Sequence, residues 1–312
     1  MVWVSAVATA IVPLVLVYVF ISEKLRSRVG EWLAKDWANL LVVYFFVIIT
    51  YSHFAFVSNQ FDLRAYLSVL LYLGLPVFLF MFLRKEDIRR SSPRVFYFLL
   101  AIFVLMLWIP MELKWVERKW VEAPIRDKSF GLPSTMYCAI LLGMFIFTEW
   151  FDLDLNCRWR WRWNHLLWVL GTLAVLLVVL LPMAARVDFV KFEIWDVVEQ
   201  HPWVPLMLFP LFLITPAIGE ELIYRGVIQS VLEKKWGIWI ALFIQAGIFG
   251  FAHINNKAGG YNFPNWSYVC FATIAGLGYG IVFWRTRSLL ASASLHALVD
   301  LLWKTFFKGD GG

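Results

Sequence analysis

Three short stretches towards the carboxy terminus set ionisable side chains into apolar surroundings, and they are where this chain can do chemistry. The first reads Thr215-Pro216-Ala217-Ile218-Gly219-Glu220-Glu221-Leu222-Ile223-Tyr224-Arg225-Gly226. On a helix Glu221 and Arg225 lie four apart, share a face and can pair. Glu220 points about 100° away from Glu221 and is left without that partner. A carboxylate withdrawn from water in this way can hold a water molecule as general base. The same stretch also reads as a helix N-terminus after Pro216, with acidic residues in a first turn that suits the macrodipole. The second stretch is Phe249-Gly250-Phe251-Ala252-His253, which ends an apolar run on a lone histidine; such a residue is more often a structural hydrogen bonder than a catalyst. The third is His296-Ala297-Leu298-Val299-Asp300, where imidazole and carboxylate are four apart and can meet. Lys304 continues that stripe by one turn, placed either to neutralise Asp300 or to reach the interface.

Charges inside apolar helices are costly and face the interior of a bundle, so the three stretches are expected to converge on one wet pocket. A glutamate, two histidines and an aspartate gathered there can activate water and stabilise a tetrahedral oxyanion, as amide hydrolysis requires. Glu220, His253 and His296 also make a His2Glu set of the kind that holds zinc with one position open for water. Two non-enzymatic readings stand beside these: a transporter lined by the polar residues, and a catalytically silent membrane partner or immunity protein. The first expects repeated hydropathy halves, which the chain lacks. Ser292 and Ser294 lack the Gly-x-Ser-Gly context of a serine site, and no cysteine is placed with Arg and His for transpeptidation.

The elements that must position these residues are apolar helices. Of 312 residues 61% are hydrophobic and only 16% charged, well beyond the balance of a soluble domain. The apolar residues fall in continuous runs close to the length that crosses a hydrocarbon core as helix, and they do not alternate as barrel strands would. Such runs predict an all-α polytopic transmembrane bundle of about eight to ten spans, including runs at 2–21, 133–150, 165–185, 236–253, 267–284 and 288–306. Segment 203–234 is expected either to kink at Pro216 or, preferably, to break there and restart. Segments 112–130 and 187–202 are expected along the membrane interface. The +6 net charge sits in short connectors, where topology and lipid headgroups account for it, so the lipid bilayer and not nucleic acid is the expected partner. The three cysteines show no ligand or redox spacing. Residues 1–200 read as transmembrane helices of unassigned role, 201–308 as a catalytic helical core and 309–312 as a disordered tail.

The order Glu220-Glu221-x-x-x-Arg225, Phe249-x-x-x-His253 and His296-x-x-x-Asp300 resembles the CAAX-processing and bacteriocin-processing (CPBP, or ABI) family of intramembrane proteases. Its best-known member is the prenyl-protein endopeptidase of the Ras-converting type. Pro216, Gly226, Tyr279-Gly280 and Trp284-Arg285-Thr286-Arg287-Ser288-Leu289 fit the same pattern, so the resemblance covers about residues 205–305. It implies a conical intramembrane active-site cavity and hydrolysis of a membrane-delivered peptide or protein near its C-terminus, of the prenylated CaaX or sorting-signal type. It also implies that Glu220 activates water and His253 positions it. His296 and Asp300 would stand on the oxyanion side, and Glu221 with Arg225 would form a supporting ion pair. Asp300 stands where the best-known members carry Asn; since an ionised Asp cannot donate to an oxyanion, it is expected to orient His296, which donates instead. A metal-free mechanism is expected over the zinc alternative of Glu220, His253 and His296, and a prokaryotic plasma (inner) membrane as the location.

Overall fold

The structure, a computed structural model, describes residues 22–83, 85–112, 122–125, 128–131, 150–151, 159, 161–258 and 260–308, together with 11, 15, 18 and 19. The expected spans at 2–21 and 133–150 therefore lie almost wholly outside the described residues, as do Cys138, Cys157 and the tail 309–312. The chain forms two compact units, Met1–Asp154 and Leu155–Gly312.

The first unit contains helices α1 (Glu23–Lys35), α2 (Trp37–Val57), α3 (Leu63–Phe82), α4 (Lys85–Arg90) and α5 (Pro93–Glu112). Short connections join these helices, and α2 packs against α3 and α3 against α5. Two tyrosines tie them: the Tyr44 hydroxyl donates to Leu70 O at 2.9 Å, and Tyr72 to Leu107 O at 2.8 Å. Phe80, Phe103, Trp150 and Phe151 fill the space between with edge-on ring contacts. The strands β1 (Glu122–Ile125) and β2 (Lys128–Gly131) pair antiparallel within the stretch expected at the interface.

The second unit holds α6 (Trp163–Arg186), β3 (Lys191–Phe192), α7 (Asp196–Gln200) and then a helical run without a break from Val204 to Trp236. That run consists of α8 (Val204–Phe212), a π-helical stretch Leu213–Ala217, α9 (Ile218–Glu221), a second π-helical stretch Leu222–Gln229 and α10 (Ser230–Trp236). The restart expected at Pro216 does not occur. A proline inside a helix has no N–H to give and crowds the carbonyl four residues back. Here the turn widens around it, with Ile218 N–H reaching Leu213 O five residues back, and the helix continues. In the second wide stretch the Ser230 hydroxyl donates to Arg225 O at 2.9 Å.

Gly237 ends the run: its φ of +82° lies in the left-handed region that glycine alone enters without strain, and it turns the chain into α11 (Ile238–Phe251). Asn265 caps α12 (Trp266–Thr286) by accepting from Tyr268 N–H, and Ser288 caps α13 (Leu289–Phe306) by accepting from Ala291 N–H. At the turn between them Arg287 donates both Nη atoms to Glu233 of α10, at 2.7 and 2.5 Å. Strand β4 (Phe307–Lys308) pairs with β3, setting Phe192 against Phe307 beside the end of α13. Helix α6 packs on α12 and α13, so the packing unit around the three motifs begins well before residue 201.

Helices α11 and α12 approach most closely. A Cβ at Gly276 would lie 3.0 Å from the Phe249 ring, and one at Gly280 only 2.5 Å from Gln245 Nε2. Small residues along α12 therefore serve close helix packing. Among the described residues α3, α6 and α12 are long and apolar enough to cross a membrane, and Trp37–Phe46, Pro93–Leu107 and α11 are shorter apolar stretches. Helix dominates the described chain, in line with the all-α expectation.

Candidate active site

The three motifs meet. Glu220 and Glu221 come from α9, Arg225 from the second π-helical stretch, Phe249 and His253 from α11 and its C-terminal end, and His296 and Asp300 from α13. Glu221 is fully buried and is the hub. Its Oε1 accepts from Arg225 Nη1 at 2.8 Å and lies 3.0 Å from His296 Nδ1, while its Oε2 accepts from the Ser292 hydroxyl. Ser292 Oγ also lies 2.9 Å from Tyr279 O.

Two buried ions cost several kcal/mol each in desolvation, so such a pair persists only where its remaining donors and acceptors are used. Here they nearly all are. Arg225 Nη2 donates to Gly276 O at 2.9 Å, and the guanidinium carbon sits 4.7 Å from the centre of the Phe249 ring and 5.2 Å from that of Tyr279. The expected Glu221–Arg225 pair is thus present as a fully buried i,i+4 bridge, and it holds His296 as well.

His296 is stacked on Tyr279, with ring centres 4.7 Å apart and planes 17° from parallel. Phe249 meets it edge-on at 5.6 Å. With Nδ1 held by Glu221, Nε2 is turned towards the two remaining carboxylates: Glu220 Oε2 at 3.9 Å and Asp300 Oδ2 at 3.6 Å. Both distances exceed a hydrogen bond. The group that orients the imidazole at hydrogen-bond distance is therefore Glu221, and Asp300 faces the far nitrogen. Glu220 Oε2 is buried and has no hydrogen-bond partner.

His253 Nδ1 lies 2.8 Å from Phe249 O. A carbonyl only accepts, so Nδ1 carries the proton and Nε2 is left as an acceptor. The ring stacks on Tyr268 at 5.3 Å. His253, His296 and Asp300 all line a cavity of about 290 Å³, walled by Leu180, Phe189, Phe212, Phe271 and Trp303, with Lys304 on its lining. A few polar groups stand among largely aromatic and aliphatic side chains, the usual make-up of a binding cavity.

Among the described residues no three His, Cys, Asp or Glu side chains are gathered to hold a metal ion.

Ser292 and Tyr279 enter the site without having been singled out as chemistry. Ser292 is one turn before His296 on the same face, so its spacing carried a signal. Tyr279 was marked only as part of the Tyr279-Gly280 pair in the family-like pattern, with no chemical role attached. Cys270 is exposed and away from the motifs' hydrogen bonds.

Compared with known proteins, residues 202–302 match the family model described as type II CAAX prenyl endopeptidase Rce1-like. No curated protein and no solved structure matches the chain. The matched segment begins at the helical run that carries Glu220 and ends just past Asp300, so it encloses every residue of the cluster. The carboxy-terminal third of the chain carries an Rce1-like domain of the type II CAAX prenyl endopeptidase family, a family of peptide hydrolases.

Proposed function

We propose that the chain is an intramembrane endopeptidase that cuts a peptide bond near the C-terminus of a membrane-delivered substrate, of the prenylated CaaX or sorting-signal type. The observation that carries this reading is the unpartnered Glu220 Oε2, buried beside His296 Nε2 at 3.9 Å and next to a cavity lined by His253. A buried carboxylate oxygen with nothing to accept from is a place for a water molecule.

In this reading Glu220 takes a proton from that water as its oxygen attacks the amide carbon, and His253 Nε2 accepts the water's other hydrogen. Negative charge then develops on the carbonyl oxygen. His296 answers it: Glu221 accepts from Nδ1, both ring nitrogens face carboxylates, and Nε2–H is the donor aimed at the oxyanion. Asp300 supports the charge on the ring. When the C–N bond breaks, Glu220 returns its proton to the departing amine, which leaves the carboxylate as it began. No metal takes part in these steps, and a prokaryotic plasma membrane is the setting proposed.

The test uses the purified full chain in detergent against C-terminal peptides, farnesylated and unmodified, with and without a zinc chelator. Glu220→Ala and His296→Ala are each expected to lower kcat by about a hundredfold or more, and chelator to change nothing. Loss of cleavage on chelation with recovery on added zinc would overturn the metal-free mechanism. Absence of cleavage for every peptide by the unmutated chain would favour a silent partner protein.

A further inference from the structure

Three polar atoms on the side of Arg225 away from the cavity are buried and meet no protein partner: Arg225 Nε, Gln229 Oε1 and Gln245 Oε1. Their side chains belong to fully buried residues, and none of the three lines the cavity. The two glutamines have no part in the chemistry derived above. A buried donor or acceptor left unmet costs the whole of its lost hydration, so three of them together call for a shared partner.

The three residues gather on one turn of α12. Arg225 Nη2 and Gln245 Nε2 both donate to Gly276 O, at 2.9 and 3.1 Å. Gln229 Nε2 donates to Gly280 O, one turn further, at 3.1 Å. A Cβ on Gly280 would stand 2.5 Å from Gln245 Nε2 and 2.9 Å from Gln229 Oε1, so glycine is what admits the two amides side by side. Carbonyls only accept, so each Nε2 is held against α12 and each Oε1 is fixed as the free end of its amide.

The chemistry of the three atoms names the partner. Arg225 Nε–H is a donor and needs a lone pair; the two amide oxygens are acceptors and need hydrogens. A metal cation would serve the oxygens but be repelled by the guanidinium, and an anion would serve the guanidinium but not the oxygens. A water molecule has a lone pair for the first and two O–H bonds for the others. We propose that Arg225, Gln229 and Gln245 hold one water molecule, and that the two glutamines are thereby positioning residues for the cluster. The water takes the last unmet donor of the guanidinium whose Nη1 holds Glu221, and Glu221 in turn lies against His296 Nδ1. The water site stands on this geometry; its effect on turnover rests on the endopeptidase reading above.

The direct test is an experimental structure of the unmutated full chain at a resolution that shows ordered water. One peak is expected about 2.7–3.2 Å from each of the three atoms. No peak, the two amides turned onto each other, or a peak with the short contacts of a metal ion overturns the proposal. The positioning role is read by a double-mutant cycle in the peptide cleavage assay. Gln229→Met and Gln245→Met keep the side-chain length and remove the amide. Each is expected to lower kcat about tenfold with KM within about twofold. The double variant is expected to lose little more than the worse single, because both act through one water. Unchanged kcat, losses that multiply, or losses confined to KM overturn that role. A chain that holds the water and cuts no peptide sinks the endopeptidase reading and keeps the site, and one that cuts without the water does the reverse.

Discussion

Glu221 accepts from three donors supplied by two different helical runs and exposes nothing to solvent. Removing its charge leaves Arg225 buried and unpaired, so Glu221→Gln is expected to cost about 3–5 kcal/mol, read as a fall in the midpoint of thermal unfolding in detergent. Ser292 is the subtler case. It gives Glu221 one hydrogen bond and touches no substrate, so it is a positioning residue. Ser292→Ala is expected to cost about 1.5–3 kcal/mol of stability and to lower kcat with little change in KM. Ser294→Ala is the comparison, because that hydroxyl donates to Leu290 O of its own helix and, among the described residues, to no group of the cluster. An effect within about 0.5 kcal/mol is expected there, and equal losses for the two serines would refute the distinction.

At the scale of elements, the site depends on how closely α11 and α12 approach, because α11 delivers His253 and α12 delivers Tyr279 and the Gly276 carbonyl. Gly250 sets that approach: a Cβ there would lie 1.9 Å from Thr273 Oγ1 and 2.7 Å from the Val269 carbonyl. Backbone cannot swing aside, so Gly250→Ala is expected to cost about 1–3 kcal/mol and to reduce cleavage by shifting His253, three residues on. Gly247 lies one turn earlier with open space around its Cβ position. Gly247→Ala is expected to be neutral or stabilising by up to about 1 kcal/mol, since alanine is the better helix former. Unfolding midpoints of the two variants decide the matter. The wide turns before and after α9 belong to this scale too. They let one helical run pass through Pro216 and still bring both glutamates towards α13.

For the molecule as a whole, every residue of the cluster and every wall of its cavity belongs to Leu155–Gly312. Helix α6 closes that unit through Leu176 and Leu180, and the β3–β4 pair together with Phe189, Phe271 and Trp303 closes the far end. A chain beginning at residue 155 is therefore expected to fold in detergent with the unfolding midpoint of its unit and to retain the cavity. Circular dichroism and thermal unfolding of that fragment check this; an unfolded fragment would show that residues before 155 are required for the core.

Much of this was legible from residue types and spacing. Long apolar runs can only be satisfied as helices in a membrane, and ionisable groups among them must face inward, so the bundle and the meeting of Glu220, Glu221, His253, His296 and Asp300 were both readable. The Glu221–Arg225 pair followed from the period of one helix. What spacing along one helix cannot express is contact between helices. That Glu221 and not Asp300 holds His296 Nδ1, that Ser292 completes the shell of Glu221, and that Tyr279 stacks on the imidazole are all decided by the approach of α9, α12 and α13. The passage of the helix through Pro216 is of the same kind. Local propensity favours a break there, and packing of the run against α13 on both sides of the proline holds it continuous.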